Sequence, residues 1–206
     1  MQDIVERPVQ LRGSRVARAL LRLAGWRLLF DGLPGKQGVL IVYPHTSNWD
    51  FPLGLLVKWA VGIQITFWGK ASLFRVPLFG AWMRWLGGVP VDRHSSHGIV
   101  GQMARELVQA REQNRFLWLA LAPEGTRRHA RGWRSGFYHV ALQAQVPVGL
   151  VFLDYGQREA GVQRFIMLGG NLPADLKRIA EELGHRVGKR PALAAPIRFD
   201  DRGSDS

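Results

Sequence analysis

Short apolar runs alternate with helical patterns along most of this chain, and this alternation limits the fold more than any other feature. Six runs have the length and composition of strands, and the segments between them repeat their apolar residues at helical spacing. The predicted strands are residues 38–43, 63–68, 89–91, 116–121, 146–153 and 165–168. Strands separated by helices predict an α/β fold, with a mixed, largely parallel sheet flanked by helices.

The two clearest helices are predicted over residues 96–112 and 174–187. In the first of them Ile99, Met103 and Leu107 share one face, which is typical of a helix packed on a sheet. A length of 206 residues with 47% apolar and 21% charged residues is ordinary for a globular chain. We therefore predict a single domain.

A basic amphipathic helix is predicted before the first of these strands, over residues 14–30. Arg12, Arg15, Arg18 and Arg22 fall within an arc of roughly 120°, and six apolar residues lie opposite them. These six are Val16, Ala17, Leu20, Leu21, Ala24 and Leu28. Such a helix either packs on the domain with its arginines in water or lies in an anionic membrane interface.

The chain is thus divided into residues 1–30, which carry the candidate membrane attachment, residues 31–199, which form the domain, and a disordered tail at 200–206. Residues 1–12 lack the continuous apolar region of a signal peptide, and no segment has the length and hydropathy of a membrane span. We expect a cytoplasmic protein that is peripheral on the membrane.

The absence of cysteine excludes disulfides, thiolate zinc sites, iron–sulfur clusters and a cysteine nucleophile. The histidines show no metal-ligand spacing with carboxylates, so we predict neither a metal nor a resident cofactor. The formal net charge is +12, and 23 of the 28 basic residues are arginines. Arginine suits phosphate recognition, so nucleic acid, an acidic membrane surface and a phosphate-bearing substrate all fit.

The segment His45-Thr-Ser-Asn-Trp-Asp50 follows a predicted strand and precedes an apolar helical pattern. His45 and Asp50 can meet only across a turn, with Ser47 or Asn48 capping the helix and Asp50 in its first turn. A paired Asp fixes one tautomer of the imidazole and leaves its other nitrogen free to accept a proton. The plainer interpretation is a loop histidine and an unrelated helix-terminal aspartate.

The segment Pro123-Glu-Gly-Thr-Arg127 follows the predicted strand 116–121. Loops at the carboxyl ends of strands bind ligands in open α/β sheets, and Gly125, Thr126 and Arg127 provide a close backbone approach, a hydroxyl and a guanidinium fork. An ordinary turn before a solvated basic loop is the alternative. The sequence lacks the serine elbow of hydrolases, the phosphate loop of nucleotidases and the dinucleotide fingerprint.

Four blocks occur in order along the chain, at residues 45–50, 69–93, 123–127 and 146–148. Together they resemble the lysophosphatidic acid or glycerolipid acyltransferase superfamily, and the resemblance covers residues 38–155. It implies transfer of an acyl group from acyl-CoA or acyl carrier protein to a hydroxyl of a lysophospholipid-like acceptor, with lysophosphatidic acid as the leading acceptor. The implied fold is α/β, and the implied setting is an anionic membrane surface.

Site residues follow from the same resemblance. His45 would be the general base and Asp50 its partner, while Glu124, Gly125, Thr126 and Arg127 would form the acceptor-phosphate site, with Lys70 and Arg93 as further anion contacts. The chain departs from the usual pattern in having Gly149 and Leu150 instead of a second proline and Arg128 instead of a serine. Both departures bear on the acceptor.

The long N-terminal membrane segments of many members do not occur in this sequence. We therefore expect attachment through residues 14–30 and exposed aromatics such as Trp26, Trp82 or Trp85, although Trp82 and Trp85 are equally typical of a core or an acyl groove. Two other functions stay open: an arginine-rich nucleic-acid-binding protein, which explains the charge but not the blocks, and a non-catalytic lipid-surface protein of the same fold.

Overall fold

The computed structural model describes residues 2–91 and 96–200 and contains one eight-stranded sheet with helices on both faces. The strands are β1 (Gln2–Ile4), β2 (Arg27–Leu29), β3 (Gln37–Tyr43), β4 (Ile65–Lys70), β5 (Gly88–Val91), β6 (Leu117–Leu121), β7 (Val148–Asp154) and β8 (Glu159–Met167). The helices are α1 (Arg15–Leu23), α2 (Asp50–Val61), α3 (Ala71–Phe74), α4 (Phe79–Trp85), α5 (Ser96–Glu112), α6 (Gly136–Ala144) and α7 (Leu172–Leu183), followed by a 3₁₀ turn at Pro191–Leu193.

The strand order is β1-β8-β7-β3-β6-β4-β5, and β2 pairs with β8 beside β1. Strands β3 to β7 run parallel to one another, whereas β8 runs antiparallel to β7. This arrangement confirms the predicted α/β fold with a mixed, largely parallel sheet. The carboxyl ends of the five parallel strands therefore meet at one edge, which we call the carboxyl edge.

Two helical layers cover the sheet. On one face, Val39 and Ile41 of β3 pack with α5, α6 and α7 in the larger core, and we call these helices the α5–α7 layer. On the other face, Leu40 packs with the end of α2, and α1 packs on α2. Helices α3 and α4 lie on this second face as well, because a Cβ at Gly69 of β4 would meet the Phe74 side chain at 2.8 Å. Helices α1 to α4 form the α1–α4 layer.

The N-terminal helix is shorter than predicted. It begins after the Ser14 cap and ends at Leu23, where Gly25 turns the chain at a φ of 74°. Residues 27–29 then form β2 instead of continuing the helix, because Arg27 to Leu29 find open partners on β8. Long-range strand pairing thus overrides the local helical pattern of this segment.

Other element bounds differ by a few residues. Helix α7 begins earlier than predicted, behind an Asn171 side chain that accepts from the Ala174 amide, and ends at Leu183 with Gly184 as its C-cap. Strand β8 begins at Glu159, well before the predicted start, because it pairs with β7 along its length. Asp200, which was expected in the tail, donates its amide to Trp133, and residues 201–206 lie outside the described residues.

Candidate active site

The side chains singled out in the sequence gather at the carboxyl edge. His45 follows β3, Glu124 follows β6, and Lys70 is the last residue of β4. Tyr155 comes directly after β7, which lies beside β3. Four parallel strands therefore deliver one polar side chain each to the same end of the sheet.

His45 and Asp50 form a pair, which we call the dyad. The His45 Nδ1 lies 3.4 Å from the Asp50 Oδ2, at the long end of the hydrogen-bond range. The Asp50 side chain is 1% exposed, whereas the His45 side chain is 19% exposed. Since Nδ1 faces the carboxylate, Nε2 is the nitrogen available to a hydroxyl from solvent.

A tight turn brings the two residues together. Asp50 is the first residue of α2, and its Oδ2 also accepts the Ser47 amide at 2.8 Å. The expected cap by Ser47 or Asn48 does not form: Trp49 is the N-cap residue and has no side-chain cap bond, while the Ser47 hydroxyl accepts the Trp49 amide. The carboxylate itself therefore ties the turn to the positive end of the helix.

The Asp50 carboxylate stays ionised despite its burial. Burial favours the neutral acid, but hydrogen bonds from His45, the Ser47 amide and the Tyr155 hydroxyl outweigh it, so the pKa of Asp50 lies below its ordinary value. An ionised Asp50 stabilises the imidazolium that His45 becomes when it accepts a proton. Chemically, a pair of this kind can work as a general base and its partner.

Tyr155 was missed in the sequence, although it completes the environment of Asp50. Its hydroxyl donates to the Asp50 Oδ1 at 2.9 Å, and the Trp26 ring packs edge-on against it at a centroid distance of 5.0 Å. Burial and the nearby carboxylate raise the pKa of Tyr155, so it remains a donor at neutral pH. The sequence signal for Tyr155 is its position just past the predicted strand at 146–153. Loops at the carboxyl ends of strands bind ligands, as argued above for Pro123 to Arg127.

Glu124 is buried beside the backbone of His45. Its Oε2 accepts the His45 backbone amide at 2.5 Å, and its Oε1 accepts the Ala195 amide at 3.0 Å. The residue is 3% exposed, and this burial raises the pKa of Glu124, while the two amides partly offset the effect. The carboxylate thus holds the backbone of His45.

The C-terminal segment from Gly188 to Ala195 supports the same loop from the outside. The Arg190 amide donates to the Thr46 hydroxyl at 3.1 Å, and the Tyr43 hydroxyl donates to the Ala195 carbonyl at 3.2 Å. A Cβ at Gly188 would lie 2.6 Å from the Thr46 Oγ1, so only glycine allows this approach. These contacts join residues far apart in the sequence, and local patterns do not reveal them.

Residues 122–135, which we call the arginine loop, continue the carboxyl edge beyond β6. Gly125 adopts a φ of 65°, a conformation that favours glycine, and the Arg134 side chain lies close to the position that a Cβ would take. Arg127 is exposed, and the Thr126 hydroxyl accepts the Arg128 amide at 3.2 Å. The loop therefore presents its guanidinium groups to solvent.

A buried tryptophan fixes the far end of the arginine loop. Trp133 is fully buried, and its ring lies 5.3 Å from that of Tyr43 and 6.1 Å from that of Phe137. Its amide donates to the Arg198 carbonyl. The basic segment is thus attached to the core on both sides and is not a freely solvated loop.

The two anion contacts expected from the second block have different outcomes. Lys70 is exposed at the end of β4, two strands away from β3 on the same edge. Arg93 lies outside the described residues. Among the residues that the structure describes, no group of three His, Asp or Glu side chains could bind a metal ion, and no helix has the length and apolar character to cross a bilayer.

The chain is similar to known proteins in sequence and in fold. The sequence model of the acyltransferase family matches residues 17–151, more than half of the chain. A search of curated proteins gives no match. Among solved structures, the 1-acyl-sn-glycerophosphate (LPA) acyltransferase PlsC from Thermotoga maritima is similar in fold, with a TM-score of 0.50 and 19% identity over 80% of this chain and 72% of that one.

Proposed function

This chain belongs to the acyltransferase family, and we propose that it transfers a fatty acyl group from an acyl thioester to a hydroxyl of a lysophospholipid-type acceptor. The observation that carries this proposal is the buried dyad at the carboxyl edge, with the arginine loop beside it. The dyad supplies a base for a hydroxyl, and the loop supplies cations for a phosphate.

In the proposed reaction the acceptor hydroxyl attacks the thioester carbonyl while His45 Nε2 takes its proton. Asp50 stabilises the resulting imidazolium. The C–S bond of the tetrahedral intermediate then breaks, and the thiolate leaves with the proton from His45, so the products are an ester and a free thiol. The acyl group passes directly to the acceptor, because the chain has neither a cysteine nor the serine elbow that would form an acyl-enzyme.

The acceptor is proposed to carry a phosphate that binds the arginine loop. Arg127 is exposed and presents a planar fork that matches phosphate geometry. Lysophosphatidic acid is the leading acceptor and phosphatidic acid its product, in line with the activity named for the Thermotoga protein. Lys70, Gly125, Thr126 and Arg93 are proposed as further parts of this anion site, and Glu124 as a support of His45.

The donor is proposed to be acyl-CoA or acyl carrier protein, used as a co-substrate without a resident cofactor. The enzyme is proposed to work at the cytoplasmic side of a membrane as a peripheral protein. The exposed side chains of α1 support this setting, since Val16, Leu20 and Leu23 form an apolar stripe beside Arg15 and Arg22. The rest of α1 packs on α2 through Ala17 and Leu21.

The proposal is tested by incubating the purified protein with a long-chain acyl-CoA and a panel of lysophospholipids, with product detection by mass spectrometry. We expect acylation of lysophosphatidic acid above that of lysophosphatidylcholine, which differs in headgroup charge. An analogue in which a methyl ether replaces the acceptor hydroxyl is the control and must give no product. Binding of lipids with no transfer to any acceptor would favour the non-catalytic lipid-surface protein instead.

A further inference from the structure

The two helical layers differ in what they present to solvent. Among the described residues of the α5–α7 layer, Leu172 is the only large apolar side chain that is exposed. The α1–α4 layer exposes such side chains on α1, α2, α3 and α4. Six of them lie between residues 71 and 85, a segment that we call the α3–α4 hairpin: Leu73, Val76, Leu78, Phe79, Trp82 and Trp85.

The exposure of the α3–α4 hairpin is extensive. Leu78 is 88% exposed and Trp85 is 75% exposed, whereas Phe74 and Met83 hold the hairpin on the sheet from its inner side. Leu78 also adopts a φ of 61°, a conformation that costs free energy for a branched side chain. Soluble surfaces rarely keep such a cluster of apolar side chains without a partner.

The charges around this surface have one sign. The sequence contains no Asp or Glu between Asp50 and Asp92, and the exposed charged residues of this stretch are Lys70, Arg75 and Arg84. Helices α5 and α7, in contrast, carry both signs, as in Arg105 beside Glu106. Exposed tryptophan and leucine bordered by arginine and lysine match the interface of an anionic bilayer, in which aromatic rings lie at the headgroup level.

The hairpin also adjoins the dyad. Phe51, the residue after Asp50, packs edge-on against Trp82 at a centroid distance of 6.2 Å, and Trp82 contacts Phe79 at 5.6 Å. A lipid surface that covers the hairpin would therefore lie next to the opening where His45 is accessible. Helix α1, which packs along α2, exposes three large apolar side chains, whereas the hairpin exposes six.

We propose that the α3–α4 hairpin docks this protein on an anionic phospholipid bilayer, with Leu78 and Trp85 inserted among the acyl chains and Arg75 and Arg84 at the headgroups. The apolar stripe of α1 lies on the same layer and provides a second contact. The inference rests on the proposed function, in that a lipid acceptor must leave a bilayer to reach His45. It assigns the docking surface primarily to the hairpin rather than to α1.

The test compares two double variants with the intact chain. Leu78→Asn with Trp85→Ser alters the hairpin, and Leu172→Asn with Val187→Ser alters exposed apolar residues elsewhere without changing the charge. Sedimentation with vesicles of phosphatidylcholine and phosphatidylglycerol in equal parts measures binding. We expect the hairpin variant to bind at least about tenfold more weakly, and the control variant to bind like the intact chain.

A second measurement does not depend on these substitutions. Nitroxide-labelled lipids in the vesicles should quench the tryptophan fluorescence of the intact chain, and Trp85→Phe should bind vesicles normally but lose part of the quenching. Equal quenching in Trp85→Phe would overturn the proposal. Vesicle binding that persists in the hairpin variant would also overturn it. So would an intact chain that is dimeric in solution together with a hairpin variant that is monomeric but still binds vesicles.

The outcome is separable from that of the proposed function. Activity on a short-chain acceptor below its micelle concentration should survive in the hairpin variant, since neither His45 nor Arg127 is touched. If no lysophospholipid is acylated but the hairpin variant loses vesicle binding, the docking surface stands and the proposed reaction is wrong. If acylation occurs and the intact chain does not bind anionic vesicles, the docking surface is wrong and the reaction stands.

Discussion

The dyad and the arginine loop lie on the same edge of the sheet, but they are held in different ways. Asp50 is buried and accepts hydrogen bonds from Ser47 and Tyr155 besides the contact with His45. Arg127, by contrast, is exposed, and the loop that carries it is fixed at a distance through the buried Trp133. One half of the candidate site is buried and hydrogen-bonded around its carboxylate, and the other presents long side chains to water.

This difference matches the two proposed roles, proton transfer by the dyad and phosphate binding by the arginine loop. A proton-transfer pair gains from fixed geometry and from a carboxylate that is already ionised. A phosphate arriving from water is better met by exposed guanidinium groups, which lose little hydration before they pair. We therefore expect substitutions around the dyad to lower kcat and substitutions in the arginine loop to raise the KM for the acceptor.

The largest effect is expected for His45→Ala. Loss of the proposed base should lower kcat by about 10²–10⁴ with little change in acceptor KM, because positioning and charge stabilisation remain. Steady-state kinetics on the best acceptor, together with a melting curve, measure the change. His139→Ala, at an exposed position of α6, is the control and should behave like the intact chain. Unchanged kcat in His45→Ala would show that His45 is not the general base.

The next effect is expected for Arg127→Ala, on the other side of the comparison. A charge-assisted pair contributes about 1.5–3 kcal/mol, so acceptor KM should rise by about 10- to 150-fold while kcat changes little. Arg127→Lys should restore only part of the affinity, because an ammonium cannot form the forked pair. Titration of acceptor and donor separately measures both constants, with Arg115→Ala as an exposed control. Full rescue by lysine would contradict forked binding.

The sequence was sufficient for the elements whose pattern is local. Strands β3 and β6 are continuous apolar runs, and the structure confirms them within a residue or two of the predicted ends. Helix α5 has the predicted bounds, since its apolar spacing is regular from start to end. The approach of His45 to Asp50 was also predictable, because a five-residue separation across a helix start leaves few geometries.

The contacts that complete the site are not local. Tyr155 reaches Asp50 only because β7 lies beside β3, and Glu124 reaches the His45 amide only because β6 lies on its other side. Strand order is set by the assembled core, which no single-segment pattern encodes. The end of α1 at Leu23 has the same cause, since β2 forms where β8 offers an open edge.

Substitution of Glu124 tests whether this residue acts with the dyad or with the arginine loop. It belongs by sequence to the block of Arg127, but by its contacts to the dyad. In Glu124→Gln one amide oxygen replaces two carboxylate oxygens, and the new NH₂ group faces a backbone donor. One buried amide therefore loses its partner, which should cost about 1–3 kcal/mol of unfolding free energy and lower kcat through a displaced His45.

Chemical denaturation and kinetics of Glu124→Gln measure this expectation. Glu181→Gln, on the exposed side of α7, is the control and should change neither quantity. A raised acceptor KM with unchanged stability would instead place Glu124 in the phosphate site with Arg127. Lower stability and lower kcat, with acceptor KM largely unchanged, would assign Glu124 to the dyad.

The smallest effect is expected for Tyr155→Phe. The substitution removes the hydrogen bond from Tyr155 to the Asp50 Oδ1 and keeps the ring on Trp26. A hydrogen bond to a charged group contributes about 1.5–3 kcal/mol to folding. Tyr155 reaches His45 only through Asp50, so we expect a smaller effect on catalysis, a fall in kcat of about 2- to 12-fold with acceptor KM constant. Steady-state kinetics at saturating donor measure kcat and the acceptor KM separately. A raised KM with unchanged kcat would indicate that Tyr155 contacts substrate instead of positioning the dyad.

A pH series separates this role of Tyr155 from simple packing. The pKa of Asp50 is held below its ordinary value, so its contribution to stability is complete above an unfolded-state pKa of about 3.9 and is lost as pH falls through the lower folded-state pKa. The stability difference between the intact chain and Tyr155→Phe should therefore shrink from pH 7 to pH 3. Tyr43→Phe, which loses a bond to the Ala195 carbonyl, is the control and should show a constant difference. A constant difference for Tyr155→Phe as well would mean that its hydroxyl does not stabilise the Asp50 carboxylate.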